Sequence, residues 1–231
     1  VAAVGFRNAT SAQGNPLASQ SFALPTVVAG DLIGLLVGFQ TTAGVTISGA
    51  GTWTHQGTDG LVAAQVQLAF YTAVSTDGSE SGANVTVNVG SQEKIAAIAF
   101  TYSGVALSGA LANSSPLYAT FTTSSTTSAT TPSVSPVPAS WVLEGFCSKS
   151  STNASYTTPG GLTSRQQVFG SGAGAIDLAL FDSNGIVSSA GGHTSTMGTA
   201  TANKIAFTIV LNTAPAEPLR VFQAVNRAAV I

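Results

Sequence analysis

Charge is what this sequence has least of. Only 7% of its 231 residues are Asp, Glu, Lys or Arg, against roughly a quarter in an ordinary soluble domain. Seven Lys and Arg, scattered singly, stand against nine Asp and Glu, for a formal net charge of −2. No basic stripe is there to track a phosphate backbone, so a nucleic-acid partner is not expected. Long apolar runs are missing too. The longest, LIGLLVGF at Leu32–Phe39, has eight residues and two glycines, far short of the roughly 20 that a spanning helix needs. Membrane insertion by a helix is therefore not expected. A single cysteine, Cys147, leaves no internal disulfide. It lies in WVLEGFCSK, an apolar setting that suits a core thiol better than a reactive one.

Metal and catalytic signatures are also scarce. HxH, HxxE, CxxC and HExxH do not occur, and no GxSxG elbow stands before a helix. His55 follows Trp53 in a turn and His193 lies in GGHTST, neither with a spaced partner for metal or base work. Asp177 and Asp182 flank LALF on opposite faces of a strand. Asp77 and Glu80 share a turn that has too few carboxylates for calcium. GSGAGA at Gly170–Ala175 precedes a strand, so it lacks the helix N-terminus that would hold a phosphate. No catalytic residue, no cofactor site and no metal ligand is assigned, and the chain reads as non-enzymatic.

What fills the space is Ser, Thr, Asn, Gln and 25 Gly. Strand signals dominate, at Val66–Val74, Asn84–Val89, Ile95–Tyr102, Ser140–Phe146, Ile176–Phe181 and Lys204–Leu211. In NVTVNV the residues Val85, Val87 and Val89 alternate with Asn84, Thr86 and Asn88, which predicts one dry and one wet face. Glycine- and aspartate-rich turns such as STDGSESG, TPGG and DSNG separate these segments. Short strands punctuated this often predict an all-β fold of the sandwich or barrel type.

The chain also repeats itself. KIAAIAFTY begins at Lys94 and KIAFTIVL at Lys204, and the same spacing lays Leu68 over Leu178. VGF (Val37–Phe39) matches EGF (Glu144–Phe146) at a slightly shorter spacing. Residues 1–214 are therefore expected to form a jelly-roll-like β-sandwich built from two pseudo-repeats, about 5–106 and 115–214. Two small sandwiches side by side and two interlocked Greek keys both fit, and the interlocked jelly roll is the preferred expectation.

TAPAEP (Thr213–Pro218) stops the last strand, and residues 215–231 form a C-terminal extension. Leu219, Val221, Phe222, Val225 and Ile231 make this tail apolar, suited to docking on its own sheet or on a neighbour. Among the aromatic residues, Trp141 and Tyr102 lie in strong strands and are expected in the core. Trp53 and Tyr156, in loops, are the candidates for an exposed sugar-stacking surface.

The order GDLIGLLVGF, GTWTHQG, VQLAFYTAV, NVTVNV, KIAAIAFTYSGV, then PASWVLEGF, PGGLTSRQ and KIAFTIVLNTAP, resembles a β-sandwich module of tailed bacteriophages. Such modules occur in minor tail, tail-fibre and head-decoration proteins. The resemblance covers about Phe6 to Pro215 and rests on packing and turn signatures: Ala29–Leu32, Gly51–Thr54, LAFYTAV and Tyr102–Val105. It implies a non-enzymatic virion protein, assembled in the host cytoplasm. Self-association is implied as well, a trimer being a common arrangement, together with contacts to other virion proteins. The alternative is an adhesin that binds host envelope glycans through Trp53 and Tyr156. A secreted hydrolase accessory domain is a third class.

Overall fold

The computed structural model describes residues 4–40, 44–62, 65–106, 110–111, 116–121, 126–134, 140–150, 155–189, 191–201 and 203–214. The apolar tail residues Leu219, Val221, Phe222, Val225 and Ile231 lie outside them. The described chain is all-β. Its strands are β1 (Gly5–Ala23), β2 (Leu32–Phe39), β3 (Thr46–Gly49), β4 (Thr54–His55), β5 (Gly60–Val62), β6 (Val66–Val74) and β7 (Asn84–Ser103). They continue with β8 (Leu117–Phe121), β9 (Thr126–Thr130), β10 (Trp141–Ser150), β11 (Thr163–Phe169), β12 (Ala175–Asp182), β13 (Thr194–Thr201) and β14 (Asn203–Leu211).

The strands sort by position in the chain. One sheet runs β1-β7-β2-β6-β4, with β3 on β7 and β5 on β6, and a second runs β11-β12-β10-β14-β8. A two-stranded ribbon, β13-β9, completes the set. All strand pairs are antiparallel. Among the described residues, strand pairing between the two halves of the chain is limited to isolated bridges, Val105 to Thr213 and Leu111 to Leu211.

These sheets stack in four layers. Leu36, Phe70, Ile98 and Phe100 of the first sheet meet Leu143, Leu178, Phe207 and Ile209 of the second in the central core. Behind the first sheet, Leu35, Val37, Phe39 and Ala97 are covered by Val85, Val87 and Val89 of β7 itself. Behind the second, Phe146, Phe181 and Ala206 are covered by Ala129 of β9 and Met197 of β13. The middle strands thus have two dry faces, which is why β2 is buried from end to end. NVTVNV behaves as its alternation predicts, with Val85, Val87 and Val89 inside.

β7 serves two layers because it bends. Gly90 has a φ of 75°, a left-handed conformation that glycine adopts without a Cβ clash. Opposite it, the pairing of β1 slips between Gly14 and Leu17 and again between Leu17 and Ser19. Pro16 falls in that gap, where no ladder hydrogen bond is needed from it.

The repeated Lys-Ile-Ala words do not face alike. Ile95 belongs to the layer behind the first sheet, whereas Ile205 points into the central core. A one-residue slip reverses every side chain of a strand. Leu68 and Leu178, by contrast, both enter the central core.

Candidate functional site

The two loop aromatics have different fates. Trp53 follows β3 and is half-buried against the layer behind the first sheet. Its Nε1 donates to the carbonyl of Ala50 at 2.7 Å. Tyr156 is not exposed at all: it is 4% accessible and stacks on Phe146 with centroids 5.7 Å apart. Its hydroxyl shares a 2.6 Å hydrogen bond with Ser148 Oγ. The expectation that Tyr156 is exposed is therefore corrected, whereas Trp53 keeps part of its surface open to solvent. Met197 and Ala129 close over the tyrosine ring, because β9 and β13 roof this side of the second sheet. Cys147 lies in the central core as expected. Burial, with the charge of Asp177 behind it, pushes its thiol pKa up.

Four acidic residues, Asp31, Glu144, Asp177 and Asp182, are buried. Asp31 is held by Arg7 through Nε at 2.6 Å and Nη2 at 2.9 Å, and also accepts the amide of Val28. Asp177 accepts from Ser150 Oγ at 2.8 Å and from the amide of Gly170 at 3.0 Å. Asp182 joins the two halves, taking Tyr102 Oη at 2.5 Å and Arg165 Nε at 2.7 Å. The guanidinium of Arg165 also lies 4.4 Å from the ring centroid of Phe6. Each group is a structural tie, since an enclosed charge without partners costs several kcal/mol. Asp77 and Glu80 turn back on their own loop, to the amide of Ser79 and to Ser75 Oγ.

Both histidines do have carboxylate partners, contrary to the reading from spacing. His55 Nε2 lies 2.7 Å from Asp59 Oδ1 on the surface. His193 Nδ1 lies 2.8 Å from Oε1 of Glu144, whose side chain is 1% exposed. Glu144 projects from β10 between Val142 and Phe146, on the side away from the central core. The amide of Gly191 donates to Oε1 at 3.0 Å, and Thr131 Oγ1 donates to Oε2. Thr131 Oγ1 in turn accepts the amide of His193 at 3.1 Å. The amide of Gly191, the hydroxyl of Thr131 and the His193 ring thus converge on one carboxyl.

A cleft of about 380 Å³ opens over this pair. Leu162, Ser183, Ile186, Val187 and Ser189 line it together with His193. A second cleft, of about 540 Å³, lies at the end of the first sheet among Thr52, Thr54, Gln56, Thr72 and Leu111. It holds no titratable side chain among the residues that line it. Nowhere among the described residues do three or more His, Cys, Asp or Glu side chains gather as a metal would require.

No family model matches this chain, and no curated protein or solved structure is significantly similar to it.

Proposed function

We propose that this protein is a non-enzymatic structural component of a tailed-bacteriophage virion, a minor tail or head-decoration protein that acts by assembly. One observation carries the proposal: among the described residues, the strand rows on the two outermost faces of the four-layer body have no charged residue. On one side, Ser21, Thr86 and Ser48 lie abreast across β1, β7 and β3, and Ser19, Asn88 and Thr46 form the next row. Thr86 Oγ1 donates to Ser21 Oγ at 3.1 Å, and Asn88 Nδ2 to Ser48 Oγ at 3.2 Å. On the other side, the hydroxyls of Thr130 and Thr194 pair at 2.7 Å, and those of Thr157 and Thr196 at 2.8 Å. Such faces can be buried against a neighbour with no ion to desolvate. The partners are further copies of this chain, in a trimer or another closed ring, and other virion proteins. The location is the particle, built in the host cytoplasm. The apolar segment 215–231 is the assembly arm.

We further infer that the two halves are copies of one β unit set face to face. The strand orders β1-β7-β2-β6 and β8-β14-β10-β12 correspond step for step. In each half a glycine pairs with a phenylalanine across the same two strands, Gly34 with Phe100 and Gly145 with Phe207. An interlocked jelly roll would exchange strands between the sheets, and these sheets keep their strands apart. Face-to-face copies are therefore the better description.

The assembly proposal is tested by light scattering on the full chain, on a chain ending at Thr213, and on T86K and T196K. A defined oligomer for the full chain, with the truncation or a lysine variant monomeric, supports it. Monomers throughout would remove self-association. Failure to find the protein in purified phage particles by mass spectrometry would remove the virion assignment.

A further inference from the structure

We propose that the Glu144–His193 cleft is a binding site for a neutral, hydroxylated small ligand of the saccharide class. The inference stands apart from assembly, because a particle-building protein can carry such a site or lack it. It also uses none of the aromatic residues considered above.

The recognising atom is Nε2 of His193. Glu144, fixed by Thr131 and Gly191, engages Nδ1 and so fixes the ring. Nε2 is left to meet a ligand, and either donates to or accepts from a hydroxyl according to the tautomer. It finds no hydrogen-bond partner among the described residues. The ring is 34% exposed, and Nε2 is the atom nearest to where a Cβ on Gly161 would stand, at 3.9 Å. A carboxylate that orients a histidine while the far nitrogen meets the ligand is a second-layer device familiar from binding and catalytic sites.

The lining specifies the ligand. The described residues that line the cleft include no lysine or arginine, so no permanent cation among them selects an anion. Ser188 and Ser189 supply hydroxyls that can donate or accept, whereas the hydroxyl of Ser183 already donates to the Gly185 carbonyl. Leu162, Val187 and Ile186 supply an apolar side. Ile186 is 63% exposed, the most accessible of the large apolar side chains described. A sugar ring offers this same pairing, with C–H groups on one face and hydroxyls around the edge. Few precisely placed polar groups among apolar ones are what small-molecule sites generally show.

The backbone around the cleft is held in uncommon conformations. Asn184 has a φ of 46° and is the one non-glycine residue with positive φ among the described residues. Gly191 has a φ of 77°, and a Cβ there would come within 1.9 Å of the Pro132 carbonyl oxygen. Its amide is one of the donors to Glu144. Conformations of this kind persist where the surroundings enforce them, and they concentrate at ligand sites.

The test is amide NMR of the full-length protein, titrated with the methyl glycosides of glucose, galactose and mannose and with N-acetylglucosamine. Acetate and inorganic phosphate serve as anionic probes. At least one neutral sugar should shift the amides of Gly161, Gly191 and His193. Binding should weaken roughly tenfold in H193A, the loss expected for one hydrogen bond. I186S leaves the Glu144–His193 pair intact and should also weaken binding, so it decides the matter if H193A fails to fold. The proposal is overturned if no neutral sugar moves these amides. Response to the anions alone, or affinities in I186S equal to wild type, would overturn it as well.

Discussion

Tyr102 on β7 and Asp182 at the end of β12 are joined by a 2.5 Å hydrogen bond that spans the seam between the two halves of the chain. Both residues are fully buried. Asp182 also receives Arg165 Nε and the amide of Asn184. Arg165 Nη2 reaches on to Asn184 Oδ1 at 2.6 Å. The seam is therefore pinned by a charge network at one side of an apolar core.

Removing one donor from this network should cost less than removing its acceptor. Y102F keeps the aromatic packing and is expected to destabilise by about 1–2 kcal/mol. D182A strands both a tyrosine hydroxyl and a guanidinium and should cost about 3–5 kcal/mol. Urea midpoints of the two variants give the comparison. Equal losses would mean that Arg165 finds solvent when its partner goes.

Alkaline pH should unfold the protein through its tyrosines. All four tyrosines in the chain have raised pKa values, chiefly from burial, with Tyr71 pushed up to about 12. Folding therefore holds protons that the unfolded chain releases near its ordinary value of 10.0. By linkage, stability contributed by these groups is complete below pH 10 and falls as pH rises above it. Lys204 acts oppositely, since burial lowers its pKa and its cost to folding fades as pH approaches 10.5. Four groups outweigh one, so the net slope is downward. Phenolate absorbance should stay low past pH 10 in the native protein and rise together with the loss of β-sheet circular dichroism. A normal tyrosine titration with the fold intact would contradict this.

The glycine–phenylalanine pairs set a limit on repacking. A Cβ on Gly34 would come within 2.2 Å of the Phe100 ring, and one on Gly145 within 2.1 Å of the Ala179 carbonyl oxygen. G34A and G145A should each destabilise by about 1–3 kcal/mol, the usual range for overpacking. G82A is the control, because a Cβ there meets nothing within 4 Å although its φ of 72° still carries backbone strain. Thermal midpoints of the three variants should place both core changes below the control.

Neither half should be well behaved alone. The central core joins Leu36, Phe70, Ile98 and Phe100 to Leu143, Leu178, Phe207 and Ile209. A fragment of residues 1–106 would leave the first group in water, an apolar face larger than soluble monomers tolerate. It should bind a hydrophobic dye and elute as an aggregate. A dye-silent monomer with a cooperative melt would show that each unit closes its own core.

Much of the fold was legible where strands are apolar. Val66–Val74 forms β6 with those bounds, and Lys204–Leu211 lies within β14. β1 left little trace, because its 19 residues mix polar with small side chains and only Gly14 is buried. The facing of the Lys-Ile-Ala words was also hidden. A strand with two dry faces shows no alternation, so its sequence does not say which side chain points which way. Glu144 and His193 are 49 residues apart, and no spacing rule links them. The signal available was a lone acid inside the apolar run WVLEGF, since a carboxylate there must have a partner brought by the fold.

The bend of β7 has a mechanical consequence. One unbroken backbone, Asn84–Ser103, forms part of the outer face and then of the central sheet. A load applied to the outer row at Thr86 and Asn88 therefore passes along covalent bonds into the middle of the body, and the outer layer cannot peel away as a separate flap. The ribbon of β9 and β13 on the far side is paired only with itself within its sheet. The two outer faces, alike in chemistry, are unlike in how firmly they are anchored.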